Sequence, residues 1–276
     1  MINSRVGFHL RLHTSASAVA RTAKALKLPF FQFFLQAEKD SRLFFLSAED
    51  EKTFLSMRSS FSSLYVHSSY RFDIAITQSQ RHEHLYNMLA QEIRLAIRLQ
   101  ATHYVLHPGT IQVGKEKQDM LASVSQRLNH MLKTYPEIIF CVENTANPKR
   151  LLGAMLEDLF YINERIATPE RFGFCIDTAH LHAAGYALHT VEQRLAFFEK
   201  LKKSALSVLL VHLNDTTVQC GSFIDRHAEL GKGVLGRNVL HNFATNEFIS
   251  NVPLLIESPE LSFDMMQKLL QETKEW

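Results

Sequence analysis

Nine side chains that commonly bind metal ions lie at or just beyond the ends of short apolar runs, namely His67, His107, Glu143, Asp177, His180, His212, Asp225, His227 and Glu257. Imidazole and carboxylate donors without thiolate suit zinc or manganese better than an all-oxygen magnesium site. A single histidine at a strand end is more often an ordinary hydrogen-bonded residue. Burying nine such donors together without a cation would be very unfavourable, so the set predicts up to three bound metal ions.

The apolar runs that carry these donors predict eight β-strands, over Val6–Leu10, Phe30–Leu35, Leu64–His67, Tyr104–His107, Ile138–Glu143, Gly173–Asp177, Leu209–Leu213 and Pro253–Glu257. Segments with helical period separate them, for example around Leu85–Ile97 and Leu121–Leu132. Strands that are apolar along their whole length must be covered on both faces. We therefore predict a single (β/α)8 TIM barrel over residues 1–276, with an open doubly wound sheet as the alternative. In such a barrel the carboxyl ends of the strands form the active-site face, where all the donors would meet.

Composition restricts the possible functions only loosely. The chain has 276 residues, 46% of them hydrophobic, and a formal net charge of +2, so any nucleic-acid contact must depend on a local patch. The N-terminal segment has no apolar core of a signal peptide, and no run approaches the length of a membrane span. We therefore expect a cytoplasmic protein without membrane contact, and a monomer.

Three cysteines lack CxxC spacing and are expected to be reduced thiols. Cys141 and Cys175 stand two residues before Glu143 and Asp177, and strand alternation should point them into the barrel. We expect them to be packing residues.

Two other patterns invite functional interpretations that we reject. The GxGxxG string at residues 231–236 follows a polar loop and not a strand, so it does not indicate a dinucleotide site. The aromatic run of Phe30, Phe31, Phe33 and Phe34 resembles a stacking platform, but on a buried strand these side chains are expected to pack in the core. His9 ends the first strand and is expected at the rim of the barrel.

Several segments together resemble a known family. The segments YVHSSY, LHPGT, VENTA, CIDTAHLHAAGY, HLNDTTVQCGSFIDRHAELGKGVLG and PLLIESP are similar to the signature blocks of the endonuclease IV family of apurinic/apyrimidinic endonucleases. The similarity runs in order from about Gly7 to Pro259, and its DRH segment with the following GKGxxG is highly specific. It implies a zinc-dependent phosphodiesterase of base excision repair, which cleaves double-stranded DNA 5′ to an abasic site.

The resemblance also implies a distribution of ligands over three zinc ions, with manganese acceptable at one position. The sets are His67, His107 and Glu143; then Glu143, Asp177, His212 and Glu257; and finally His180, Asp225 and His227. Glu143 would bridge the first two ions and be the catalytic residue. Two bridged metals can share a water and lower its pKa, so that a bridging hydroxide attacks phosphorus without a side-chain base.

The sequence departs from this family in the loops that would hold DNA. After the third strand Tyr70 is retained, but Ser68 and Arg71 replace an aspartate and an apolar residue. The loop after the second strand reads LQAEKDSR and lacks the usual tryptophan, and a glycine-rich turn after the fifth strand is replaced by residues 147–149, Asn-Pro-Lys. We predict DNA contacts for Tyr70 as a wedge in the base stack, and for Arg71 and Arg226 on phosphates.

Cations occur after many strands on this face, but nearby acidic residues dilute them. A solvated, nearly neutral rim is as consistent with this pattern as a DNA-binding track. The cations are Arg11, Arg42, Arg71, Lys115, Lys117, Lys149, Arg150, Arg226, Lys232 and Arg237.

Two other classes of function remain open. In a sugar or sugar-phosphate isomerase of the xylose-isomerase-like barrels, one metal would need only Glu143, Asp177, His212 and Glu257. The other five donors would then have no role. A barrel that binds nucleic acid or a phosphorylated ligand without cleaving it is the third possibility.

Overall fold

Eight parallel strands close into a barrel, in the spatial order β1-β10-β7-β6-β5-β4-β3-β2. The structure is a computed structural model that describes residues 5–36, 43–76, 80–258 and 261–276, without the side chains of residues 80–83. The barrel strands are β1 Val6–His9, β2 Phe30–Phe34, β3 Ser63–His67, β4 His103–Leu106, β5 Ile139–Glu143, β6 Phe172–Asp177, β7 Val208–His212 and β10 Leu254–Ile256.

Helices follow the strands and cover the outside of the barrel. They are α1 Ala16–Ala25, α2 Ala48–Arg58, α3 Gln80–Arg98, α4 Lys117–Thr134, α5 Leu156–Asn163, α6 Thr178–Ala184, α7 Val191–Lys203, α8 Gly236–Ala244 and α9 Phe263–Glu272. Short 3-10 helices span Pro169–Arg171 and Glu247–Ile249. Several helices begin at a side-chain cap, such as the Ser15 hydroxyl, which accepts a hydrogen bond from the amide of Ala18. No helix in these described ranges is both long and apolar enough to cross a membrane.

The predicted (β/α)8 architecture is confirmed, and the open-sheet alternative is wrong because the strands close on themselves. Each barrel strand begins and ends within one residue of its predicted bounds. The sequence patterns did not predict a small antiparallel pair in the loop after β7, formed by β8 Asp215–Thr216 and β9 His227–Ala228.

A layer of apolar side chains fills the barrel directly beneath the metal-binding donors. It consists of Phe30, Tyr65, Val105, Cys141, Cys175, Leu210 and Leu255. Since side chains alternate along a strand, the residue two positions after each of these also points into the barrel, one layer nearer the mouth. On β3, β5 and β7 the residues in this next layer are His67, Glu143 and His212, respectively. The predicted inward orientation of the two strand cysteines is therefore confirmed, and burial raises the pKa of both thiols.

A carboxyl group is also buried between α3 and the outer face of β4. Glu92 is fully buried and accepts a hydrogen bond of 2.6 Å from the hydroxyl of Tyr104. Burial raises the pKa of Glu92 to about 7, against an ordinary value of 4.5. Ionisation of Glu92 therefore opposes folding near neutral pH.

We predict that Glu92→Gln becomes more favourable relative to wild type as pH rises. The raised pKa of Glu92 lowers the free energy of unfolding of the wild type only at pH values where the carboxyl group ionises in the unfolded chain. This destabilisation is absent below about pH 4.5 and complete above about pH 7, where it is at most ~3 kcal/mol. Urea unfolding at several pH values should show the free-energy difference, variant minus wild type, increasing between pH 5 and 8. The exposed control Glu164→Gln should give a constant difference, and a constant difference for Glu92→Gln would contradict the prediction.

Candidate metal centre

Glu143 lies at the centre of the barrel mouth, where it is almost completely buried. Its Oε2 is 2.7 Å from Nε2 of His67 and 3.2 Å from Nε2 of His107. Its Oε1 is 3.0 Å from Nδ1 of His212 and 3.3 Å from Nδ1 of His180. One carboxylate thus contacts four imidazoles, with its two oxygens directed to opposite sides.

Two further carboxylates approach the same centre from β6 and from the end of β10. Glu257 Oε2 lies 3.3 Å from His212 Nδ1, and Asp177 Oδ2 lies 3.9 Å from the same nitrogen. One donor atom from each of Glu143, Asp177, His212 and Glu257 falls within 4.8 Å of the others. This spacing allows a single cation to contact all four residues.

The loop after β7 supplies the remaining donors. Asp225 Oδ2 is 3.2 Å from Nε2 of His180, and its Oδ1 is 3.3 Å from Nε2 of His227. Asp177 also reaches this side, with Oδ2 3.7 Å from His227 Nε2. The structure therefore brings all nine predicted ligands into one connected cluster, in overlapping groups around Glu143 and Asp177.

Nδ1 of three imidazoles contacts a backbone carbonyl oxygen. The pairs are His67 Nδ1 with Ser68 O at 2.8 Å, His180 Nδ1 with Asn144 O at 2.9 Å, and His227 Nδ1 with Glu257 O at 3.3 Å. Since a carbonyl oxygen only accepts, each Nδ1 carries a proton, which leaves Nε2 as the nitrogen through which each ring would bind a metal.

These Nε2 atoms face carboxylate oxygens, and neutral rings would be repelled there. Nε2 of His180 and Nε2 of His227 are buried and make no hydrogen bond, although Asp225 is close to both. A cation between the imidazoles and the carboxylates satisfies both kinds of donor. The nine residues thus fit a metal cluster in chemistry and in orientation.

The pKa shifts of the clustered carboxylates and imidazoles also indicate a site that favours positive charge. Burial opposes ionisation of Glu143, but His212 and His107 hold its pKa well below the ordinary range. Burial lowers the pKa of His212, yet Glu257 and Glu143 outweigh this and raise it to about 9. Burial also lowers the pKa of His180, but Asp177 and Asp225 raise it well above its ordinary value. The carboxylates hold positive charge at this position, as they would with metal ions.

Two amide side chains that the sequence analysis did not select orient the carboxylates. Gln32 on β2 donates to Glu257 Oε1 at 2.6 Å, and its carbonyl oxygen lies 3.1 Å from His212 Nε2. Asn214 donates to Asp177 Oδ2 at 2.6 Å and to Glu257 Oε2 at 3.1 Å. A polar glutamine within the apolar run FFQFF was the available signal for Gln32.

One part of the prediction for the aromatic run is wrong. Phe30, Phe31 and Phe33 are buried as expected, but Phe34 lies at the mouth of the barrel. Its ring centroid is 4.5 Å from that of His9, 5.1 Å from that of His67 and 5.7 Å from that of Tyr70. As the last residue of β2, it points inward above the apolar layer.

A cleft of about 440 Å³ opens above the cluster. It is lined by Tyr70 and Arg226, two of the three predicted DNA contacts, and by the donors Asp225, His227 and Glu257. Tyr70 is 61% exposed, and its ring centroid is 5.2 Å from that of His107. Arg71 is exposed but is not among the described residues that line this cleft.

Three of the cations that follow strands on this face are paired with acidic side chains, as in the nearly neutral rim that the sequence left open. Lys117, Lys232 and Arg237 form ion pairs with Asp158, Glu229 and Glu272, respectively. Arg42 and the loop residues Glu38, Lys39 and Asp40 lie outside the described residues.

A buried aspartate holds the loop that carries Asp225 and His227. The Asp215 carboxylate accepts hydrogen bonds from the amides of Gly231, Gly233, Leu235 and Gly236, at 2.9 to 3.4 Å. A Cβ at Gly233 would lie 2.3 Å from Asp215 Oδ1, which explains the glycine there. The GxGxxG string therefore wraps around a carboxylate of its own chain. Because Asp215 and Thr216 pair with Ala228 and His227, this wrapping positions a metal donor.

We predict that Asp215→Asn destabilises the protein and weakens metal retention. An amide has one acceptor oxygen and brings two donors among inward-pointing amides, which should lower stability by about 2–4 kcal/mol. Thermal unfolding and metal analysis after dialysis measure the two effects.

The matched control is Asp50→Asn, because Asp50 accepts from the amides of Ala16 and Ser17 far from the cluster. It should lower the melting temperature and leave the metal content unchanged. Full metal retention in an Asp215→Asn protein with lowered stability would contradict the role of Asp215 in positioning the loop.

Comparison with known proteins identifies the class to which this barrel belongs. Residues 20–274 match the family model of the xylose isomerase-like TIM barrels, so the chain is a member of that family. Within this class the chain belongs to the endonuclease IV family. It is 32% identical over 200 residues to a probable endonuclease 4 of Thermosipho melanesiensis, covering 71% of this chain and 70% of that relative.

One further relative and two solved structures are also similar to this chain. A probable endonuclease 4 of Halorhodospira halophila is 33% identical over 201 residues, which is 70% of this chain but only 66% of the relative. Endonuclease IV from Thermus thermophilus superimposes with a TM-score of 0.82 at 24% identity, covering 99% of both chains. A D-tagatose 3-epimerase-like protein has a TM-score of 0.71 at 17% identity, covering 99% of this chain and 97% of the other. These two structures establish the shared fold alone.

Proposed function

We propose that the protein is a zinc-dependent apurinic/apyrimidinic endonuclease, which cleaves the DNA phosphodiester 5′ to an abasic site. The observation that carries the proposal is the cluster of nine donors, and above all the Asp225–His227 loop that extends it beyond a single-metal site. The names of the relatives support an endonuclease, and one of them, from Plasmodium berghei, is named an apurinic-apyrimidinic endonuclease. The double-stranded DNA substrate is what the resemblance of the sequence implies.

We assign the ligands to three zinc ions in the sets implied by the resemblance to the endonuclease IV family, with manganese acceptable at one position. Bound metals would supply a water of lowered pKa as nucleophile and would offset the charge that develops on the phosphodiester. Glu143 has the central role because its oxygens face different groups of donors, His67 and His107 on one side and His212 on the other. The imidazole tautomers set by backbone carbonyls keep the ligand nitrogens directed inward.

The surface around the cluster suits a displaced abasic nucleotide. The cleft between Tyr70 and Arg226 lies directly over the donors, so a sugar within it would bring its phosphodiester to them. Tyr70 is exposed and can enter the gap in the base stack, which offsets part of the unstacking cost of a few kcal/mol. Arg226 also lines the cleft and can pair with a phosphate there. We give Arg71 a weaker role, as attraction for a more distant phosphate.

A single-metal sugar isomerase is the second candidate. Its support is the group of Glu143, Asp177, His212 and Glu257, which can bind one cation without the other donors. The cost of keeping the five remaining donors unused argues against it, because His67 and His180 are buried and His107 and His227 are partly buried. We further propose that residues 1–276 form one domain and act as a monomer, and a cytoplasmic location stays a prediction.

Metal content and incision together test the proposal. We expect close to three zinc equivalents in the purified protein and cleavage of a duplex that contains one abasic site, with no cleavage of the undamaged duplex. Removal of metal by chelation should abolish incision, and added zinc should restore it. One equivalent of metal without incision would favour the isomerase, and three equivalents without incision would favour a non-catalytic binder.

Glu143→Gln should lose incision by at least a thousandfold, because the residue that serves two groups of ligands becomes a poor bridge. Circular dichroism should show a folded barrel. Glu116→Gln, at the exposed start of α4, is the matched control and should cleave as wild type does. Wild-type incision by Glu143→Gln would remove the proposed role of that carboxylate.

Tyr70→Ala should reduce incision of an abasic duplex about tenfold or more, since stacking on an aromatic ring contributes ~1–3 kcal/mol per base. Tyr70→Phe should retain most of the activity, because it keeps the ring, and Lys39→Ala should change little. Wild-type incision should also fall as salt is added. If Tyr70→Ala cleaves as well as wild type, a smaller phosphodiester substrate becomes the better proposal.

A further inference from the structure

A second cleft borders the metal centre at Asp225, and Tyr70 is not among its lining residues. Its volume is about 680 Å³, and it lies between the loops that follow β4, β5 and β7. Asp225 also lines the cleft that contains Tyr70, so a chain that passes over the cluster can occupy both clefts. The lining of the second cleft includes Asn147, Lys149, Arg150 and Phe223.

Phe223 presents its ring from an unusual backbone position. Its φ is +60°, in the left-handed region that side chains with a Cβ seldom adopt. Two hydrogen bonds hold it there, from its own amide to Ala183 O at 3.0 Å and from the Asn147 side chain to its carbonyl at 3.0 Å. Backbone strain that the surroundings maintain is commonly found at functional sites.

The loop after β5 brings cations to the same ring. Asn147 Oδ1 accepts from the amides of Lys149 and Arg150 at 3.1 and 3.2 Å, which fixes the turn that carries both residues. Lys149 Nζ lies 4.9 Å from the centroid of the Phe223 ring, and both cationic side chains are exposed. One asparagine therefore sets the positions of an aromatic ring and of two positive charges.

An aromatic ring beside two cations recognises a ligand that is both planar and anionic, as nucleotides are. We infer that this cleft binds the nucleotide adjacent to the cleaved phosphodiester. The base would stack on Phe223, and its phosphate would contact Lys149 and Arg150. This inference rests on the proposed function, since the nucleotide belongs to the strand that is cleaved.

The subsite explains how the chain can hold DNA although its other loops have changed. The turn at residues 147–149 was noted in the sequence only as the replacement of a glycine-rich segment. In the structure this turn supplies the cation and the asparagine that order Phe223. A new stacking position here would offset the loss of contacts from the loop after β2.

The test uses the metal-loaded protein and duplexes with a tetrahydrofuran abasic analogue. The fluorescent base 2-aminopurine is placed one nucleotide from the lesion, on the 5′ side in one duplex and on the 3′ side in another. Low temperature slows incision during the measurement. We expect wild type to change the fluorescence in one of the two duplexes, and Phe223→Leu to abolish that change while Phe223→Trp retains it.

Steady-state incision gives the second readout. Phe223→Leu should raise KM by roughly 5- to 150-fold, the range expected for one stacked base, with a smaller effect on kcat and with unchanged metal content. Lys149→Gln should reduce the slope of log affinity against log salt by about 1. Phe263→Leu removes a partly exposed ring outside both clefts and is the matched control, with wild-type behaviour expected.

The outcomes separate the two proposals. If wild type incises abasic DNA but Phe223→Leu changes neither KM nor the fluorescence, the subsite is wrong and the proposed function stands. Loss of metal in Phe223→Leu would likewise overturn the subsite in favour of a structural role. If wild type fails to incise, the proposed function fails, and the fluorescence comparison alone decides whether the cleft binds a nucleotide.

Discussion

The Glu143 carboxylate is the constraint on which the mouth of this barrel depends. It is buried, both of its oxygens contact imidazoles, and backbone carbonyls orient two of those imidazoles, His67 and His180. An isolated buried carboxylate would be strongly destabilising, so the surrounding positive charge is a condition for placing it there. The same condition explains why the pKa of His212 rises to about 9 despite complete burial.

Along each strand of the barrel, the side chains that pack in the core and the side chains that can bind metal lie in different layers. Apolar side chains such as Tyr65 and Leu210 fill one layer, and the donors follow two residues later at the mouth. Amide side chains then cross-link the carboxylates, because Asn214 bonds both Asp177 and Glu257. Six of the nine donors therefore lie at or just beyond the ends of barrel strands, whereas the loops form the surface above them. Such a division lets the loops diverge while the metal ligands stay in place.

The loop after β7 is the exception, since it carries donors and must be as well ordered as a strand. Asp215 achieves this by accepting several backbone amides of the glycine-rich string, and the β8–β9 pairing transmits that order to His227. Without these bonds a segment of this length would lose much conformational entropy on ordering and retain few contacts. The loop is also what distinguishes the cluster from the four-residue site that a single cation would need.

Local patterns in the sequence determined the barrel and the strand ends that carry most of the candidate donors, because strand length, alternation and the position after each strand depend on nearby residues alone. What only the tertiary structure decided involves residues distant in sequence. Gln32 reaches Glu257 across the barrel, and Phe34 leaves the core for the mouth because β2 ends there. Asn147 orders Phe223 from another loop. Such contacts depend on how strands and loops meet in three dimensions, for which a single chain carries no local signal.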